Sequence, residues 1–148
     1  IPPVPLSLKE IGVYHTVIRT RAGEYQLSFE RAPWYALGKK TSAVFHRVGG
    51  EPVYVWSSVF APTSLDTEVV HRWSYFDAGK NEWISSTVIG FPISGGRSEG
   101  YRGYSVKENV VEGKWRVDVE TLRGQIIGRF VFEVEGAGEP PLLKTETR

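Results

Sequence analysis

The 148 residues are 41% hydrophobic and 24% charged, enough for one domain with a real core and too apolar for a disordered chain. A formal charge of +1, with Lys and Arg interleaved among nearly equal numbers of Asp and Glu, provides no basic stripe for nucleic acid. Cysteine is absent, which removes disulfides, thiolate metal sites and a thiol nucleophile, and no run approaches the ~20 apolar residues of a membrane span.

The chain opens Ile1-Pro2-Pro3-Val4-Pro5, so residues 1–6 read as an extended, proline-rich linker. That start, with no methionine anywhere, is the expectation for a domain excised from a larger protein. Residues 7–134 read as a single β-sandwich domain. Ile11, Val13, His15 and Val17 alternate as on a strand, a second short strand is expected over 24–29, and Ala32-Pro33-Trp34 breaks the run. Residues 41–48 are β-rich and close at Gly49-Gly50-Glu51-Pro52. Residues 53–60 (VYVWSSVF) are aromatic and β-branched on both faces, the mark of a central strand covered on both sides.

Residues 67–76 place Val69, His71, Trp73 and Tyr75 on one face, and Asp77-Ala78-Gly79-Lys80-Asn81 is a hairpin loop leading to a partner strand over 82–93. Residues 95–121 begin as a Gly- and Arg-rich turn region, read as a crossover between two sheets with Arg97, Glu99 and Arg102 paired locally. The segment ends in the most regular strand of the chain. Over 114–121 the odd positions are Trp115, Val117, Val119 and Thr121 and the even ones are charged, so Trp115 is expected in the core and Asp118 and Glu120 on the wet face. Arg123-Gly124 turns the chain into 125–134, with Ile126, Gly128, Phe130, Phe132 and Val134 on one face. Residues 135–148 lose all periodicity and read as a flexible tail. Short strands between Gly/Pro turns, with no convincing helix, predict an all-β, antiparallel, immunoglobulin-like β-sandwich.

Catalytic motifs are missing. His71 is the most tempting base, but His15 and His46 lie on other strands and no HxH or HxxxH spacing supports a metal. Gly95-Gly96-Arg97-Ser98-Glu99-Gly100 lacks the Lys-Ser/Thr of a phosphate loop, and the serines at 57, 58, 85, 86 and 105 sit in no nucleophile elbow. No catalytic residue, metal ligand or cofactor is therefore assigned. Five tryptophans in one small domain are more informative. Trp73 and Trp115 fall in phase with valines as core residues, whereas exposed rings among Trp83, Trp56 and Tyr54, with Arg97 and Arg102, form the candidate ligand surface.

His71-x-Trp73, Gly95-Gly96-Arg97, Gly100-Tyr101-Arg102-x-Tyr104-Ser105, Gly113-Lys114-Trp115-Arg116-Val117 and Gly124-Gln125-x-Ile127-Gly128-Arg129-Phe130 together resemble a bacterial family, domain-of-unknown-function family 2914, over roughly residues 50–134. The resemblance implies a bacterial protein in which such a domain follows membrane-spanning segments. It supplies no catalytic residues. The expectation is a non-enzymatic binding or interaction domain of a membrane-anchored envelope protein, on the periplasmic or extracytoplasmic side of the inner membrane, recognising a protein or a cell-envelope glycan. Two alternatives stand beside it: a His71-centred metal-dependent or hydrolytic enzyme, and a structural spacer or assembly domain.

Overall fold

The computed structural model describes residues 6–30, 43–61, 67–93 and 101–148, and every regular element within them is a β-strand. In chain order these are β1 (Ser7–Tyr14), β2 (Thr16–Arg19), β3 (Tyr25–Glu30), β4 (Ala43–Val48), β5 (Val53–Phe60), β6 (Thr67–Asp77), β7 (Glu82–Ile93), β8 (Tyr101–Lys107), β9 (Gly113–Thr121), β10 (Ile126–Ala137) and β11 (Leu143–Thr147). They form a five-stranded sheet in the order β4-β10-β9-β6-β7, a three-stranded sheet β1-β5-β8 and a second three-stranded sheet β11-β3-β2. The chain is all-β, as its turn spacing predicts. All these pairings are antiparallel except that of β4 with β10, which is parallel.

The sheet β1-β5-β8 is the middle layer, and β5 shows why. Its odd residues Val53 and Val55 pack with Trp73, Trp115, Val117, Phe132 and Val134 of the large sheet. Its even residue Trp56 packs with Tyr14, Val17, Tyr25 and Leu27 on the side of the small sheet. Alternation along one strand thus feeds two cores, the two-sided coverage expected of VYVWSSVF. The chain passes from the middle sheet to the small one at His15, whose backbone N–H bonds to the Ser28 carbonyl at 2.8 Å.

Trp73 and Trp115 are core residues, as predicted, and meet edge to face with ring centroids 6.4 Å apart. The outer face of β9 differs from expectation. Asp118 and Glu120 are only 2% and 6% exposed. Being central, β9 is flanked by β6 and β10, and their long arginines lie over it: Arg129 Nε is 2.6 Å from Asp118 Oδ1 and Arg72 Nε is 3.0 Å from Glu120 Oε2. A register shift between Ile126 and Gly128 likewise turns Ile126 outward and brings Ile127 against the core.

Two further expectations are corrected. Residues 101–107, placed in a turn region, form strand β8 along β5. Its Gly103 serves close packing, since a Cβ there would lie 2.6 Å from the Phe91 ring. The tail is also partly strand: β10 runs to Ala137 and β11 pairs with β3. The hairpin at 77–81 is as predicted, with Asn81 at φ 52° and the Lys80 N–H bonded to Asp77 Oδ1 at 3.2 Å.

Candidate functional site

His71 lies between the large and middle sheets with no exposed surface. Its Nε2 is 2.7 Å from Ser57 Oγ and its Nδ1 is 2.7 Å from Ser105 Oγ, which also accepts the Trp73 indole N–H at 2.9 Å. Burial pushes the imidazole down to about 3, so the ring is neutral near pH 7 and offers one donor and one acceptor to two hydroxyls. Both ring nitrogens are occupied by hydroxyls, and among the described residues no carboxylate holds the ring. This network ties two sheets together across a sealed core.

The other two histidines converge where sequence gave no hint of it. The Glu30 carboxylate accepts from His15 Nε2 at 2.7 Å, from the His46 backbone N–H at 2.6 Å and from His46 Nδ1. His15 Nδ1 lies 3.2 Å from Glu51 Oε1, and its ring stacks on Phe45 at 4.0 Å. Burial alone raises the Glu30 carboxyl, but its bonds from His15 and His46 outweigh that and hold it below the usual range. The cluster links the end of β3 to β4 and to the bend after β1. Among the described residues, no group of three His, Cys, Asp or Glu side chains is placed to hold a metal ion.

The candidate ligand residues separate into two places, and Arg97 lies outside the described residues. Trp83, on β7, is half-buried in the large sheet, with the Arg116 guanidinium 4.6 Å from its ring centroid and Phe76 at 5.4 Å. Tyr54, Trp56 and Arg102 share the face of the middle sheet that meets the small one. Trp56, expected as an exposed ring, is 1% exposed, because that face is roofed by the small sheet. Arg102 crosses the Tyr25 ring at 5.5 Å and donates through one terminal nitrogen to the Gly23 carbonyl at 3.1 Å; the local pairing expected for it with Glu99 lies outside the described residues.

Trp56 and Arg102 bound a cleft of about 410 Å3 at the end of the interface between the middle and small sheets, with Lys9, Glu10, Ala22, Glu24, Ser58 and Arg148. Two of its lining residues carry a buried donor with no hydrogen-bond partner, Trp56 Nε1 and Arg102 Nε, as do Tyr101 and Arg116 elsewhere. Arg148 is held on the rim by Glu10 at 3.1 Å and Glu146 at 2.6 Å, bonds that raise its already high pKa. Sequence patterning singled out Trp56 and Arg102 but not the cleft, whose other wall comes from the turn before β3 and from the last residue of the chain.

No curated protein matches the sequence. Among solved structures, Pseudomonas fluorescens alkylpurine DNA glycosylase AlkC bound to DNA containing an abasic site analog is similar at 14% identity and a TM-score of 0.48, covering 88% of this chain and 30% of that one. At that score the likeness carries no inference about this chain. Residues 66–134 match the family model described as "Protein of unknown function (DUF2914)", so the resemblance carried by His71, Trp73, Tyr101, Trp115 and Phe130 is to the DUF2914 family from the start of β6 into β10, with its N-terminal limit at residue 66 in place of 50.

Proposed function

We propose that the chain is a non-enzymatic recognition domain of a membrane-anchored bacterial envelope protein, lying on the extracytoplasmic side and binding a glycan or a protein segment. Its core is an immunoglobulin-like sandwich made by the large and middle sheets, with the small sheet as an added layer. The observation that carries this reading is the cleft with two buried, unpartnered N–H donors on Trp56 and Arg102. Such donors each cost about 1–3 kcal/mol unless something accepts from them. A spacer gains nothing from them. The bacterial, membrane-anchored setting rests on the family likeness, and no helix among the described residues is long and apolar enough to cross a membrane. The enzyme alternative loses support from the sealed, neutral His71.

The test is a glycan array and a peptide array probed with the intact protein, Arg102→Met and Trp83→Ala. Binding that Arg102→Met loses and Trp83→Ala keeps is the expected result. Loss only with Trp83→Ala moves recognition to the outer face of the large sheet, and no binding by the intact protein leaves the spacer reading.

A further inference from the structure

We propose that the free edge of β7 is a self-association surface, on which a second copy of this chain pairs antiparallel, strand to strand, about Ile89. It lies apart from the cleft and does not depend on the recognition reading. Strand β7 ends the large sheet and, among the described residues, pairs only with β6. The other described edge strands are β1, β2, β4, β8 and β11. Each carries a lysine or arginine, the residues that keep edges from pairing: Lys9, Arg19, Arg47, Arg102 and Lys144. Strand β7 carries neither, and it is uncharged from Trp83 to Ile93.

The strand is complementary to itself. Its register with β6 steps from Trp73 opposite Thr87 to Ser74 opposite Ser85, leaving Ser86 as a bulged extra residue. Pro92 has no backbone N–H, so the regular stretch is 87–91. Antiparallel pairing about Ile89 sets Ser86 against the partner's Pro92, so each interruption meets the other and 87–91 pairs without a break. A proline at an edge holds its nitrogen outward, and alternation then points the N–H and C=O of Gly90 and Val88 outward as well. In this register Val88 and the partner's Gly90 form the hydrogen-bonded pairs of the new ladder. Val88 is 48% exposed, and it meets an exposed residue with no side chain, over which the Glu68 carboxylate reaches. The strand is already held in place by β8: Lys107 donates to Thr87 Oγ1 at 2.9 Å, and the Phe91 ring packs on Gly103. Pairing therefore orders little that is not ordered beforehand. Any extended strand can use the backbone groups, but this match of bulge with proline and of Val88 with Gly90 belongs to a second copy. The contact uses up the β7 edge of both copies and leaves the charged β4 at each far end, so association closes at a dimer.

Sedimentation velocity on the intact chain, from micromolar to millimolar concentration, is expected to show a monomer–dimer equilibrium. Val88→Glu places a carboxylate beside Arg72 of its own chain, where the fold tolerates it, and opposite the partner's Gly90, where Glu68 lies. Like charges there are expected to weaken the dimer roughly tenfold or more. Val111→Glu, at an exposed valine between strands, is expected to leave it unchanged. The chain has no cysteine, so a single introduced one reports the geometry. Ile89→Cys sits on the two-fold axis, with Cα atoms about 4.5 Å apart, and is expected to form a disulfide dimer under mild oxidation. Ser85→Cys, exposed and beyond the bulge, is expected not to. A monomer at every concentration overturns the proposal, as does a dimer that Val88→Glu leaves intact or that Ser85→Cys captures while Ile89→Cys does not. Species larger than a dimer overturn the closed pairing. A protein that stays monomeric while an uncharged peptide of unrelated sequence protects its Val88 and Gly90 amides from hydrogen exchange overturns the second copy as the occupant.

Discussion

The two faces of β5 are built from neighbouring residues of one strand and differ in how they treat polar atoms. Toward the large sheet, Ser57 joins His71, Ser105 and Trp73 in a network where the imidazole uses both nitrogens and the indole N–H has its acceptor. Toward the small sheet, Trp56 presents an indole N–H with nothing to accept it, and Arg102 does the same with its Nε. Burial is nearly identical, since Trp73 and Trp56 are 0% and 1% exposed. Equal depth in the protein thus goes with a satisfied polar network on one face and unpartnered donors on the other.

The largest expected effect lies on the satisfied face. Trp115→Ala opens a cavity beside Trp73 and is expected to cost about 3–5 kcal/mol in a urea titration; a loss below about 1 kcal/mol would mean that this core is not the one holding the sheets together. Next comes His71→Leu, which strands the Ser57 hydroxyl, leaves Ser105 with the Trp73 indole N–H as partner, and is expected to cost roughly 2–3 kcal/mol. The same variant carries a pH signature. The folded value of about 3 lies below the ordinary 6.5, so the unfolded chain takes up the proton first. Stability is then flat above pH 6.5 and falls as the pH drops below it, with a slope approaching ~1.4 kcal/mol per unit. Between pH 6.5 and 4.5 that slope should vanish in His71→Leu; a slope that persists there would assign it to another group.

Glu30→Gln is a smaller perturbation, because the carboxylate is partly open to solvent. About 1–2 kcal/mol is expected at neutral pH from its weakened bonds to His15 and His46. Its folded pKa lies below the ordinary 4.5, so its contribution is complete above that value and is lost as pH falls through the lower one. The variant should flatten the acid limb of a stability curve below pH 4.5. The smallest change is Trp56→Phe. It removes an N–H that has no partner while keeping an aromatic ring, and stability is expected to stay within about 1 kcal/mol of the parent. A much larger loss by thermal unfolding would show that Trp56 has an acceptor after all and erase the contrast between the two faces.

Where alternation controlled burial, the sequence was readable. Trp115, Val117 and Val119, the two-sided β5 and the Val69 to Tyr75 face all lie as their spacing predicts. The failures share a cause: they depend on neighbours that a local pattern does not contain. Asp118 and Glu120 look solvated until arginines from β6 and β10 cover them. Residues 101–107 look like a turn because Gly103 resembles punctuation, although it makes room for Phe91. Strand β11, exposed and polar, has no apolar face to alternate and is held by backbone pairing and by ties such as Ser28 with Thr145. At the candidate site, Trp56 and Arg102 were visible as residue types. The second wall of the cleft was not, because it is assembled from residues near 24 and from Arg148.

The pairing of β3 with β11 also sets an order of events in folding. Ser28 and Thr145, bonded at 3.2 Å, are 117 positions apart, and the backbone of Tyr25 exchanges both of its hydrogen bonds with Arg148. Closing so long a loop has an entropic penalty that grows with its length, and such distant contacts form slowly. A ribosome synthesising the chain delivers every strand of the large and middle sheets before it delivers β11. The small sheet is therefore complete only when β11 has emerged, and the cleft that Arg148 helps to bound forms after the large and middle sheets.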